Sequence, residues 1–167
     1  MRGRKPDEEI RTPLAWDDTE PGHGFTSGQP WEAFAPGVES ANVAGQADDP
    51  ASLLAHYRSL IGLRTTHSAL REGELIPMDD APSGVYAYLR HAGEETIAVV
   101  ANLTDEPVDG ASLTLGTGPL CGKPAADLLL GQGSVAAPIV NGAGGFDAYV
   151  PVQHLEPRQA VIFRLSP

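Results

Sequence analysis

The chain has 167 residues, of which 19 are Gly, 15 are Pro and 41% are hydrophobic, a composition that indicates a globular chain rich in turns. The length admits one ordinary domain, or a small domain with an appendage, and it excludes a (β/α)₈ barrel that carries a further domain, because the barrel alone takes about 250 residues. Twenty-two acidic and 11 basic residues give a formal charge of −11, so neither nucleic acid nor an anionic membrane surface is an expected partner.

Residues 1–49 are predicted to form a long irregular loop. The segment contains Trp16 and Trp31 and shows no sustained period of 2 or 3.6 residues. Loops of this length are uncommon inside a compact domain and are usually functional or disordered. No apolar signal region follows the first basic residues, which favours a cytoplasmic location, and no apolar run is long enough to span a membrane.

A single helix is predicted over residues 50–67. Asp49 is the expected N-cap, and Pro50 suits the first helical turn, where its missing N–H costs nothing. Apolar residues recur at helical spacing and form one stripe. They are Leu53, Leu54, Tyr57, Leu60 and Ile61.

From Leu75 onward the pattern favours short β-strands that are separated by Gly, Pro, Asp and Asn clusters. The predicted strands are residues 84–90, 96–103, 111–115, 125–130, 146–152 and 159–165. Turn signals every 8–12 residues are typical of an antiparallel β-sandwich or barrel. The single cysteine, Cys121, cannot form an intramolecular disulfide, and we expect it to be buried or half-buried.

The sequence contains none of the common reaction signatures, which are G-x-S-x-G, the P-loop, H-E-x-x-H and the Rossmann fingerprint. The five histidines, His23, His56, His67, His91 and His154, stand singly without metal-like spacing, so we predict surface or packing roles for them and neither a metal nor a cofactor. The acidic pairs at 48–49 and 79–80 are assigned to a helix cap and to turns. The glycosylation sequon at 102–104 is treated as a chance match.

Four aromatic residues of the loop, Trp16, Phe25, Trp31 and Phe34, admit two interpretations. Their faces can pack against the C–H faces of sugar rings, with neighbouring Asp and Arg side chains bonding the hydroxyls. They can equally pin an otherwise structureless loop onto a core. Composition alone favours the second interpretation.

Several separated pieces of the sequence occur in the order found in the α-amylase superfamily, glycoside hydrolase family 13. The pieces are E-I-R-T-P-L-A-W-D at 9–17, G-F-T at 24–26, P-W at 30–31, N-V at 42–43 with Gln46, and the stretch at 49–70. The chain resembles the end of the α-glucosidase, oligo-1,6-glucosidase, trehalose synthase and bacterial α-amylase branches. It departs from the usual pattern at Leu14, Ala15 and Ser68, where Met, Gln and Pro are common.

The resemblance implies two regions. Residues 1–70 would be the end of a (β/α)₈ barrel, with a rim loop at 1–49 and the last barrel helix at 50–67. Residues 71–167 would be the family's C-terminal all-β domain, domain C, an antiparallel β-sandwich of Greek-key type. The fold class expected for this chain is therefore mainly β, preceded by one α-helix and a long irregular loop.

The resemblance also implies retaining cleavage or transfer at α-glucosidic bonds, in which one carboxylate forms a glycosyl-enzyme and a second acts as acid and then base. The family's catalytic carboxylates have no counterpart here, so no catalytic residue is assigned. The residues expected to border the substrate cleft are Arg11, Trp16, Asp17, Phe25 and Trp31.

The leading hypothesis is a structural domain and active-site rim of an α-amylase family enzyme, inactive on its own. Its partners would be the missing catalytic barrel and an α-glucan or oligosaccharide substrate. A second hypothesis is a carbohydrate-binding module that uses Tyr86 and Tyr88 on one strand face. A third is an interaction protein that self-associates through the exposed helix by burying Leu53, Tyr57, Leu60 and Ile61.

Overall fold

The computed structural model describes residues 10–167, so the beginning of the predicted loop, residues 1–9, lies outside the described residues. The chain divides into two compact units, Met1–Gly62 and Leu63–Pro167. The helices are α1 (Val43–Ala47), α2 (Leu53–Thr66) and α3 (Ser68–Glu72). All of the strands described below belong to the second unit.

Helix α2 confirms the predicted helix but begins three residues later than expected. Ser52, and not Asp49, is the capping residue, because its Oγ accepts a hydrogen bond from the Ala55 N–H at 3.1 Å. Asp49 instead closes the preceding turn, where its Oδ1 accepts the Ala51 N–H at 2.8 Å. The Asp49-Pro50 pair therefore forms a turn before the helix.

Helix α3 was not predicted, because a side chain far away in the sequence caps it. His67 precedes the helix and provides no side-chain cap. The carboxylate of Glu95 takes that place: it accepts the Ala69 N–H at 2.8 Å and the Ser68 hydroxyl at 2.9 Å, and it lies 2.5 Å from His67 Nδ1. A contact across 26 positions leaves no local signal.

The second unit contains nine strands within the described residues, all of them paired in antiparallel fashion. They are β1 (Glu74–Pro77), β2 (Val85–Ala92), β3 (Glu95–Asn102), β4 (Val108–Asp109), β5 (Leu113–Thr117), β6 (Ala125–Leu130), β7 (Gly144–Tyr149), β8 (His154–Leu155) and β9 (Ala160–Ser166). Five of them form one sheet in the order β1-β2-β3-β9-β6, and the pairs β4-β8 and β5-β7 form two small sheets. This confirms the mainly β, antiparallel class predicted from the sequence.

One hydrophobic core joins the large sheet to the β5-β7 pair. Leu89, Val100 and Phe163 point inward from the large sheet, and Leu113 and Phe146 meet them from the other layer. The alternation of buried and exposed residues in β2 follows the period of 2 read from the sequence. Two layers of strands that enclose one core match the expected sandwich.

The glycosylation sequon is closed to modification in the folded chain. Asn102 is 1% exposed, and its Nδ2 donates to the carbonyls of Glu106 at 2.7 Å and Glu156 at 3.0 Å. The side chain thus ties the loop after β3 to the segment after β8. A glycan on Asn102 would break these hydrogen bonds. The burial of Asn102 therefore agrees with a chance match to the sequon.

The expectation for Cys121 is wrong, since its side chain is exposed. It lies between β5 and β6 in a turn where Gly122 takes a left-handed φ of 68°. The expectation of burial rested only on the residue type, because a free Cys is usually buried. A turn on the surface of the sandwich leaves the thiol in solvent.

The Glu95 contacts make part of the unfolding free energy depend on pH. Burial by itself would raise the pKa of Glu95, but the hydrogen bonds from Ala69, His67 and Ser68 outweigh it and hold the pKa below its ordinary value. A carboxyl with a lowered pKa in the folded state stabilises the fold above its unfolded pKa of about 4.3. That contribution is lost as the pH falls through the lower, folded value.

We therefore predict that Glu95→Gln lowers the free energy of unfolding by about 1–2 kcal/mol at pH 7, because three hydrogen bonds lose a charged acceptor. The difference from wild type should shrink as the pH falls below about 4.3 and through the lowered folded pKa of Glu95, where the wild-type side chain becomes neutral like Gln. Urea unfolding followed by far-UV circular dichroism between pH 3 and 8 measures it, with exposed Glu74→Gln as the control. An equal difference at every pH would contradict the assigned role of charge.

Candidate functional site

In the loop of the first unit, two of the predicted rim residues, Trp16 and Asp17, form hydrogen bonds to the same residue, His23. The N–H groups of Trp16 and Asp17 both donate to the carbonyl of His23, at 2.8 and 3.3 Å, and the N–H of His23 donates to the carbonyl of Thr19 at 2.6 Å. Residues 16–23 therefore form a closed loop that is held by its own main chain.

Asp17 shapes this loop with its side chain. The residue is half-buried, and its Oδ1 accepts the Thr19 N–H at 2.9 Å. A short acidic side chain that bonds the main chain two residues on is a common turn device. One oxygen of the carboxylate is thus engaged in a hydrogen bond that stabilises the turn.

Gly24 explains why the G-F-T piece accompanies the W-D piece. Its φ of 71° is left-handed, and a Cβ built on it would lie 2.9 Å from both Asp17 Oδ2 and the Cβ of Trp16. Only a residue without a side chain allows the backbone to approach so closely. The two sequence pieces are therefore one structural unit.

The structure divides the loop aromatics between the two interpretations. Phe34 is half-buried and pins the loop, because its ring meets His23 edge-on at 4.6 Å and Phe25 at 6.5 Å. Trp16 and Trp31 are 52% and 67% exposed, and Phe25 is exposed as well. Three of the four aromatic residues thus keep faces open to a ligand.

Arg11 and Trp31 are both exposed. Within residues 10–167 no ring contact joins Trp31 to Trp16 or Phe25. The structure therefore bonds Trp16 and Asp17 to the main chain of His23, and it links Phe25 to the His23 ring through Phe34. It does not bring Trp31 into that group.

Asn42 and Gln46, noted in the sequence only as family markers, have structural roles. Asn42 caps α1 by accepting the Gly45 N–H at 2.7 Å. The first amides of α1 then donate to the loop, with Ala44 N–H bonded to the Trp16 carbonyl at 2.8 Å. Gln46 Oε1 accepts the Leu54 N–H at 3.1 Å, which ties α1 to the start of α2.

The apolar stripe of α2 is open to solvent among the described residues. None of its side chains is buried, and Leu53 is 66% exposed. With Leu14, Val43 and Tyr57 it lines a shallow groove of about 260 Å³. Contiguous exposed apolar surface of this kind marks an interaction face.

Tyr86 and Tyr88 lie on one face of β2, with ring centroids 5.3 Å apart. Tyr86 is exposed, whereas Tyr88 is half-buried. Burial and the neighbouring Tyr86 raise the pKa of Tyr88, and the charge of Arg90 partly opposes them. Of the two rings that the binding hypothesis uses, only Tyr86 is therefore exposed.

Residues 10–167 contain no group of three His, Cys, Asp or Glu side chains that is placed to hold a metal ion. Within the same residues, no helix has the length and apolar character required to cross a bilayer.

Comparison with known proteins identifies related sequences and folds. Residues 1–73 match the family described as "Alpha amylase, catalytic domain". The oligo-1,6-glucosidase of Parageobacillus thermoglucosidasius is 37% identical over 101 residues, which cover 59% of this chain and 17% of that protein. The glucan 1,6-alpha-glucosidase of Streptococcus pneumoniae is 36% identical over 102 residues, or 61% of this chain and 19% of that protein.

A solved structure extends the similarity over almost the whole chain. A trehalulose synthase variant in complex with Tris superposes with a TM-score of 0.68 and 34% identity, covering 93% of this chain and 25% of its own. The chain thus spans about a fifth of the length of these curated relatives and a quarter of the solved structure.

We predict that Gly24→Ala destabilises the loop around Trp16 by about 1–2 kcal/mol, because the new Cβ clashes with Asp17 and the left-handed φ disfavours Ala. Amide hydrogen exchange at Trp16 and Asp17 measures the loss. Gly28→Ala is the matched control, since a Cβ there meets nothing within 4 Å. Equal exchange in the two variants would contradict the close-approach role of Gly24.

Proposed function

Because the chain belongs to the α-amylase family, glycoside hydrolase family 13, we propose that it forms a non-catalytic part of an enzyme that acts on α-glucosidic bonds. In this proposal residues 1–70 are the end of the catalytic barrel and residues 71–167 are domain C. The match of residues 1–73 to the family's catalytic domain supports this division. The self-contained core of the second unit also supports it.

The loop at 1–49 is proposed to border the substrate cleft, with Arg11, Trp16, Asp17, Phe25 and Trp31 as its contacts. The observation that carries the proposal is the pair of exposed rings, Trp16 and Phe25, held beside a half-buried carboxylate. An aromatic face suits the C–H face of a sugar ring, and Asp17 Oδ2 can accept a hydrogen bond from a hydroxyl. Their fixed backbone limits the ordering cost of binding.

The bond-breaking chemistry is assigned to residues outside this chain. Retaining glycoside cleavage needs two carboxyl groups about 5–5.5 Å apart, one as nucleophile and one as acid and base. Asp17 is already bonded to the Thr19 N–H in its own turn. Since the aligned region covers only 17% and 19% of the two relatives, there is ample chain in them for a complete catalytic centre.

The exposed face of α2 is proposed to pack within the complete enzyme. Its apolar side chains and the groove beside Leu14 would be covered by the barrel of which α2 is a part. The named activities of the relatives, an oligo-1,6-glucosidase and a glucan 1,6-alpha-glucosidase, make short α-glucosides or α-glucans the proposed substrate class. Self-association through the same face is the competing use of this surface.

We expect the purified 167-residue chain to show no turnover of maltose, isomaltose, starch or a chromogenic α-glucoside, because it lacks the carboxylate pair. Release of glucose or chromophore is the measurement, with an oligo-1,6-glucosidase as the positive control and the Asp17→Asn variant assayed alongside. Activity in the wild type that disappears in Asp17→Asn would overturn the proposal.

The binding-module alternative rests on the exposed ring of Tyr86. We expect the chain to migrate through a starch-containing gel without retardation, because two adjacent rings give a sugar little contact area. The Tyr86→Ala variant is run beside it. Retardation of the wild type that is lost in this variant would favour a carbohydrate-binding module instead.

A further inference from the structure

His23 combines two unfavourable features at one residue. Its φ of 46° is left-handed, which a residue with a Cβ seldom adopts. The side chain is also buried, with the residue 4% exposed, and its Nδ1 has no hydrogen-bond partner among the described residues. Strained backbone and unpaired buried polar atoms both call for an explanation, and they cluster at functional sites.

The main chain of His23 fixes two of the proposed rim residues at once. Its carbonyl accepts the N–H groups of both Trp16 and Asp17, and its own N–H is bonded to Thr19. A carbonyl that points into this loop requires the left-handed turn at residue 23, which continues into Gly24 with φ of 71°. A shift in the His23 backbone would therefore move Trp16 and Asp17 together.

The ring of His23 extends the same control to a third rim residue. It meets Phe34 edge-on at 4.6 Å, and Phe34 in turn meets Phe25 edge-on. On its outer side Nε2 lies 3.3 Å from Glu20 Oε1, whose side chain is 77% exposed. The imidazole thus contacts Phe34 and Glu20, and it reaches Phe25 only through Phe34.

A simple packing residue at position 23 would look different. An apolar side chain would fill the same space without leaving a nitrogen unpaired, and Gly or Asn would adopt the left-handed backbone more easily. His23 meets neither requirement well, yet its main chain binds the amides of Trp16 and Asp17 and its ring contacts Phe34. Its position, and not its contribution to packing, accounts for its place in the fold.

We propose that His23 is a positioning residue of the rim: its main chain orients Trp16 and Asp17, and its ring orients Phe25 through Phe34. One residue then sets the spacing of the groups that meet the sugar. The inference rests on the proposed function, because that function makes these three residues substrate contacts. The positioning itself is measurable without any substrate.

The test compares His23→Asn with His23→Val in the 167-residue chain. Asn tolerates the left-handed backbone, whereas the β-branched Val disfavours it. We expect amide exchange at Trp16 and Asp17 to rise by about tenfold or more in His23→Val and to stay within about threefold of wild type in His23→Asn. The exposed Ser27→Val is the matched control and should leave both amides unchanged.

The ring contribution is read separately, by Trp16 emission in a Trp31→Phe background and by the ring resonances of Phe25. His23→Asn should shift the Phe25 resonances, because the edge contact with Phe34 is lost, while the emission of Trp16 stays as in the parent. His23→Val should change both signals. If His23→Asn keeps the Trp16 emission but shifts the Phe25 resonances, the main chain and the ring of His23 position different rim residues.

Three results would overturn the inference: wild-type exchange at Trp16 and Asp17 in His23→Val, equal acceleration in both variants, or equal acceleration at core amides such as Val100. The last result would mean general destabilisation. Failure of the proposed function is a separate observation, since Asp17-dependent turnover by the isolated chain would refute the rim assignment while leaving the exchange results intact.

Discussion

The pairing of the last strand with strands far earlier in the chain holds the second unit together. Strand β9 lies between β3 and β6 and bonds to both of them. Its inward residues Val161 and Phe163 are fully buried, and Leu165 nearly so. Without β9, strand β6 would lose the strand that joins it to the large sheet, and the core would lose one of its largest side chains.

The same reliance on distant partners recurs at the helices. Glu95 on β3 caps α3, so the helix exists because the sheet places a carboxylate at its first turn. In the first unit, Gln46 bonds the start of α2, and the α1 amides bond the loop. Each short helix is therefore stabilised more by its neighbours than by its own five residues, which are too few for an independent helix.

Two surfaces of the first unit expose apolar side chains that no contact within residues 10–167 covers. The loop presents exposed rings around a strained and buried His23, and α2 presents an apolar face that none of the described residues buries. The similarity to the α-amylase family gives both surfaces a common interpretation. The rings would face a sugar, and the apolar face would meet the remainder of a barrel. A substrate contact and an internal packing contact thus lie on neighbouring parts of one short segment.

Local patterns in the sequence determined the mainly β class, the strands β2, β3, β6 and β9, the helix α2 and the family, because period, turn residues and ordered motifs are properties of neighbouring residues. Tertiary structure alone decided that Glu95 caps α3 and that the Asn102 side chain bonds the segment after β8. These features depend on which distant groups come within hydrogen-bonding distance. Such distances are set by how the chain folds back on itself, which no local pattern records.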